Sequence, residues 1–336
     1  MAIRARLFAG VLVGALALSG CAGGSTAMAP TPTRPVPSSG VDPISLATAP
    51  LTGELVPGGL PTRPALAAKV DNHEDARPQW ALNQADLVFE ELVEGGLTRY
   101  VAVWHSQLPE VIGPVRSIRP MDPDIISPLG GIVAYSGGQT RFVAMMQAAP
   151  VVNVSADFND EYYFRSDERD APHNEMLNTA PVLAAHAELA PPAAQFLYGT
   201  PAHIASQGGS PASRLDIAFS SASQRAWEWD ATSLRWLRSQ SDVADTVYGG
   251  ERTSAVNVVV VRVRIDWTYS PVPRTVMVDS GDAIVATAGM VLSARWSKAS
   301  ATDPIVLTDA SGAPLRLLPG RTWVELVPVD GSASAR

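Results

Sequence analysis

The sequence holds one cysteine, Cys21. That excludes an intramolecular disulfide framework and, elsewhere in the chain, a thiol nucleophile or a cysteine-rich metal site. Lysine is nearly missing too: Lys69 and Lys298 stand alone, so almost all positive charge is arginine. Charged residues make up 17% of the chain, below the ordinary share of about 25%. No Gly-x-Ser-x-Gly elbow is present, and no His-x-x-x-His or Glu-x-x-His spacing. These absences remove the hydrolase-elbow and helical zinc-site readings. No cofactor and no metal are expected.

What is present begins with a secretory signal. Arg4 and Arg6 precede an apolar run from Leu7 to Leu18, which is shorter than the roughly 20 residues a membrane span needs. Leu18-Ser19-Gly20-Cys21 then matches a bacterial lipobox. Residues 1–20 are read as a signal peptide, with cleavage before Cys21 and lipid on its sulfur. Two acyl chains suffice for stable anchoring, so the membrane is the expected partner and its extracytoplasmic face the expected location. Residues 21–50, rich in Pro, Ser, Thr and Gly, read as an extended tether. Loss of Arg4 and Arg6 moves the formal charge from −8 to −10. An acidic chain of this kind excludes nucleic acid as the main partner.

Beyond Leu51 the pattern predicts α+β: an N-terminal α/β layered domain with a mixed sheet over 51–205, then a smaller β-rich domain over 212–329. The composition change at Gly199 to Pro211 marks the boundary. Thr179 is expected to cap a helix that follows it. The run from Gln84 to His105 reads as a hairpin turning at Gly95-Gly96 through a two-residue turn. That register sets Glu94 against Leu97, Leu92 against Arg99, Glu90 against Val101 and Asp86 against His105. Leu87, Phe89, Glu91 and Val93 then share a face with Tyr100, Ala102 and Trp104. A helix from Leu82 to Glu94 is the competing reading.

Several polar groups are candidates for chemistry. Arg99, Arg116 and Arg119 could converge on a carboxylate or phosphate, to which the guanidinium fork is matched. Ser136-Gly137-Gly138, between a strand and a helix, could turn backbone N–H groups toward an anion, or be a plain tight turn. His173 and Asn174 lie in a polar loop with Asp170, which could bind a ligand or simply hydrogen-bond to itself. Glu90, Glu94, Asp170 and His173 are the candidates for acid–base work.

A set of strings in order carries a resemblance: Lys69-Val70-Asp71-Asn72, Ala76-Arg77-Pro78-Gln79, the hairpin, Gly113-Pro114-Val115-Arg116-Ser117, Tyr135-Ser136-Gly137-Gly138 and Ala171-Pro172-His173-Asn174. Fainter strings, Trp227-Glu228-Trp229-Asp230 and Leu318-Pro319-Gly320-Arg321, extend it through the second half. By these the chain resembles the YerB-like family of bacterial lipoproteins, which carries a domain of unknown function in two parts. The resemblance implies an anchored, extracytoplasmic protein and supplies no catalytic residues. The expectation is therefore a binding or scaffold protein that meets a cell-wall polymer or envelope protein through its arginines. A cell-wall hydrolase or transferase using the acid–base residues is the alternative.

Overall fold

The computed structural model describes residues 46–336 except Gly58. The signal segment, Cys21 and most of the tether lie outside the described residues. Order begins before Leu51: Leu46–Thr48 pairs with Leu55–Pro57 in an antiparallel ribbon, and Ala49 and Leu51 are buried.

Among the described residues the main sheet has eleven strands. At its centre, Leu87–Leu92 and Thr98–Trp104 form the expected hairpin. Leu66–Asp71, Ile132–Tyr135 and Val152–Ser155 extend it on one side. On the other side Thr322–Pro328 lies parallel to Leu87–Leu92, followed by Asn257–Val263, Ser280–Thr287 and Met290–Ser297. Strands from both halves of the sequence thus hydrogen-bond in one sheet. The architecture is α+β, with parallel and antiparallel pairs mixed.

Each face of this sheet is covered. Leu87, Phe89, Val101, Val103, Val259 and Val324 pack under the short Asp122–Ile126 helix and its neighbours. Val88, Tyr100, Ala102, Trp104, Val258 and Trp323 pack against Leu215, Ile217, Trp227 and Trp236 of a second, six-stranded sheet. A strand buried on both faces reads as nearly continuous apolar sequence.

The hairpin turn differs from expectation. Val93 donates its backbone N–H to Leu97 at 2.8 Å, so Glu94, Gly95 and Gly96 make a three-residue loop. Both glycines take positive φ, 71° and 73°. The extra residue shifts every pair by one: Leu92 meets Thr98, Glu91 meets Arg99, Glu90 meets Tyr100 and Phe89 meets Val101. A one-residue slip exchanges the faces. Leu87, Phe89 and Glu91 therefore share a face with Arg99, Val101 and Val103, not with Tyr100 and Trp104. Asp86 does not pair with the His105 ring; it accepts from the backbone N–H groups of His105 and Ser106 at 2.9 and 2.8 Å.

Other local differences are small. Asn178, not Thr179, stands at the cap of the Thr179–Ala185 helix, and the Thr179 hydroxyl donates to the Pro109 carbonyl. Pro201–Ser206, inside the stretch of changed composition, is a helix with Thr200 as its side-chain cap.

Gly131 opens the Ile132–Tyr135 strand with φ 67°, and a Cβ there would lie 2.4 Å from the Ala65 carbonyl oxygen. Gly131→Ala should cost about 1–3 kcal/mol from backbone conformation alone, and more because the clash is with main chain. A urea midpoint equal to wild type would show that this strand start is not tightly held.

Candidate functional site

Leu66–Asp71, Leu87–Leu92, Ile132–Tyr135 and Val152–Ser155 run parallel, so their carboxyl ends gather at one edge of the sheet. Loops at such an edge are where open α/β sheets place ligands. Asp71 ends its strand there. Arg99, near the start of an antiparallel strand, stands directly across from it in register. The pleat puts Lys69, Asp71, Glu91 and Arg99 on one face, toward the 116–122 segment.

That segment is pinned from the adjoining strand end. Ser136 donates its backbone N–H to the Arg116 carbonyl at 3.0 Å, and Ile118 N–H reaches the Gly137 carbonyl at 3.2 Å. The Ser117 hydroxyl donates to the Ser136 carbonyl at 2.9 Å. So held, the segment turns its guanidiniums inward. Arg116 Nε lies 3.1 Å from Asp71 Oδ2. Arg119 Nε lies 2.8 Å from Glu94 Oε2, and its Nη1 donates to the Ser117 and Ile118 carbonyls. Arg99, only 9% exposed, donates Nη1 to the Ser117 carbonyl at 2.7 Å.

Below them sits Lys69, fully buried, between Glu91 and Asp122, the latter at 2.8 Å. Burial pushes this ammonium down to about 8, with Arg99 and Arg119 adding to the effect and Asp122 opposing it. Over the whole group four cations meet four carboxylates, but they are layered. Lys69 has two acids to itself; the three guanidiniums above share Asp71 and Glu94. The imbalance shows at Arg99. Burial, then Arg119 and Arg116, push it down to about 10, and Asp71 and Glu94 do not offset them.

His173 joins through the same carboxylate. Its Nδ1 lies 2.7 Å from Asp71 Oδ2, and its ring stacks on His73 with centroids 4.4 Å apart. Burial alone would raise the Asp71 carboxyl, but Arg99, the His173 imidazole and Arg116 hold it below the usual range.

Comparison with known proteins decides the family. Residues 51–191 match the N-terminal domain, and 215–324 the C-terminal domain, of a family described as protein of unknown function (DUF3048). The chain is 26% identical over 296 residues to a Bacillus subtilis (strain 168) protein bearing the name lipoprotein YerB, with 85% of this chain and 88% of that one covered. The crystal structure of YerB protein from Bacillus subtilis superposes with TM-score 0.76 at 24% identity, over 86% of this chain and 99% of that one. The chain belongs to the YerB-like two-part family. The family description assigns no activity, the lipoprotein name belongs to the Bacillus subtilis relative, and the solved relative shares this chain's fold.

Within this family fold, the expected residues separate into those that meet and those that do not. Arg99, Arg116, Arg119 and His173 converge. Ser136 and Gly137 are beside them, but their contribution differs from expectation: the Ser136 N–H is spent on the Arg116 carbonyl, so the turn braces the arginine segment. Asn174 is buried and serves its own loop, accepting from Arg165 Nη1 at 2.8 Å and donating to the Ser166 and Arg169 carbonyls.

The acid–base candidates do not assemble. Glu90 is wholly buried on the opposite face of the sheet, held by Arg225 at 2.8 Å and by Arg238. Glu94 is tied to Arg119 at the hairpin tip. Asp170 is exposed, and its backbone carbonyl accepts from His173 N–H within a turn. Hollows of about 490 and 720 Å³ both border Trp267, and neither is lined by Arg99, Arg116, Arg119 or His173.

Sequence reading overlooked Lys69 and Asp122, which with Glu91 form the base of this site. A signal existed for one of them. Lys69 is one of two lysines and interrupts the apolar string Leu66-Ala67-Ala68-Lys69-Val70; a charge in a doubly covered strand needs partners.

Proposed function

We propose that this protein is held by lipid on Cys21 at the extracytoplasmic face of the membrane and binds an anionic group of an envelope polymer at Arg99, Arg116 and Arg119. The observation that carries the reading is Arg99: a buried guanidinium beside two others, given a carbonyl oxygen rather than a carboxylate of its own. A phosphate or carboxylate entering there would offset positive charge that burial makes costly. Arginine forks suit both groups. Because the arginines lie outside the larger hollows, a charged group projecting from a polymer fits better than an engulfed small molecule. The hydrolase or transferase reading loses support because Glu90, Glu94, Asp170 and His173 share no cleft.

The test is binding of the full-length protein, in detergent, to isolated teichoic-type wall polymer. Hydrogen bonds to charged groups contribute about 1.5–3 kcal/mol each, so Arg119→Ala should weaken binding roughly 10- to 100-fold. The triple change of Arg99, Arg116 and Arg119 to alanine should abolish it. Added salt should weaken wild-type binding. Unchanged binding by the triple variant ends the proposal. Arg119→Lys, which keeps charge but not the fork, separates loss of recognition from loss of folding.

A further inference from the structure

The edge that carries the arginines also carries a second group of ligating side chains. His73, Asp75 and His173 each present a donor atom, and the three atoms lie within 4.8 Å of one another. Sequence spacing gives no hint of it, because His173 arrives on a distant loop.

One carboxylate places both imidazoles. Asp71 Oδ1 accepts the His73 backbone N–H at 3.1 Å, while Oδ2 lies 2.7 Å from His173 Nδ1. Asp71 is 3% exposed and sits at the end of a central strand, so this support is rigid. An ionised Asp71 fixes the Nδ1–H tautomer of His173 and leaves Nε2 as its free donor. That is the carboxylate–histidine arrangement which orients metal-binding imidazoles.

The spacing also fits. His73 Nδ1 and Asp75 Oδ2 are 3.3 Å apart. Two donors each about 2.1 Å from a tetrahedral ion stand roughly 3.4 Å from each other. Coordination by both rings requires the stacked His73 ring to turn, since a metal lies near the plane of each imidazole, and requires His73 Nδ1 to give up the Asp75 backbone N–H that it accepts at 3.3 Å. His73 can do so: its side chain is 34% exposed, whereas Asp71 holds His173 in place.

From this we propose that His73, Asp75 and His173 form a divalent-metal site of the zinc class, with Asp71 orienting His173 and the fourth position open to solvent. Two imidazoles and one carboxylate select zinc and its neighbours over magnesium or calcium, which take oxygen ligands. The site shares Asp71 with Arg116, whose Nε lies 3.1 Å from Oδ2, but none of its three ligands is an arginine, so metal uptake and anion binding are read by separate variants.

Cobalt(II) tests it, being visible in absorption when bound tetrahedrally. Untagged full-length protein in detergent, stripped with chelator, should take up one equivalent and release it to zinc. His73→Ala and Asp75→Asn, both changes at partly exposed surface, should abolish the absorption while leaving the unfolding midpoint near wild type. Asp71→Asn should weaken uptake about 10- to 100-fold. Arg119→Ala should bind cobalt as wild type does, whatever it does to polymer binding. No tetrahedral absorption at submillimolar cobalt, or equal uptake by a His73→Ala/His173→Ala double variant, overturns the proposal.

Discussion

Arg238→Ala should lower the unfolding free energy by about 3–5 kcal/mol, measured from denaturant midpoints. Arg238 is fully buried between the two sheets. One arm of its guanidinium meets Glu90 and the other Asp245, and the plane lies over Trp323, 4.7 Å from the ring centroid. Around this pair the network closes: Arg225 donates to Glu90 at 2.8 Å and to the Thr98 hydroxyl at 2.7 Å, and Asn72 reaches Thr98 and Gln240. Asn72, Glu90 and Thr98 come from the first half of the sequence; Arg225, Arg238, Gln240 and Asp245 come from the second. Removing Arg238 leaves two buried carboxylates short of a partner and a void against tryptophan rings. A loss below about 1 kcal/mol, the range of a surface ion pair, would show that water reaches this layer.

Glu325→Gln should change the pH dependence of stability rather than only its level. Glu325 is the in-register neighbour of Glu90 across two parallel strands and accepts from Trp227 Nε1 at 2.7 Å. Burial, then repulsion from Glu90, raises its carboxyl from the ordinary 4.5 to about 8. A carboxyl raised by folding holds its proton more tightly in the native state. Its stabilising share is complete below pH 4.5 and is lost as pH climbs toward 8. Each unit is worth about 1.4 kcal/mol, so between pH 6 and 9 the wild type should lose on the order of 2–3 kcal/mol that Glu325→Gln retains. Glu90 acts in a different window. Burial would raise it, but Arg225 and Arg238 bring it down to about 2, so its share is present above 4.5 and disappears only in acid. Unfolding curves for wild type and variant that stay parallel from pH 6 to 9 would refute the assignment.

Much of the fold was legible in the chain. The hairpin around Gly95-Gly96, the strand before and the helix after Ser136-Gly137-Gly138 (Ile132–Tyr135 and Thr140–Gln147), and the β-rich second half follow from periodicity and turn residues. Its register was not, for a definite reason. Alternation assigns register when one face is wet and the other dry. Here helices cover one face and a second sheet the other, so either register buried apolar residues, and the loop length decided. The acidic pair showed the same difficulty. Glu90 and Glu91 are adjacent in sequence, yet the pleat sends one to the Arg225–Arg238 layer and the other to Lys69.

The arginine cluster was visible as composition: three guanidiniums near one hairpin, in a chain of net negative charge. That the three share an edge with Asp71 could be known only once the parallel strands were in place, because strand order is a long-range property. The metal-ligand group is the extreme case, since His73 and His173 are joined by Asp71 and by nothing in their local strings. The chain by itself determined its α+β class, its candidate lipid attachment at Cys21 and which residue types were available for recognition. Tertiary structure decided which of them meet, because a side chain's partners depend on register and strand neighbours, and those are set by burial summed over both faces of the sheet.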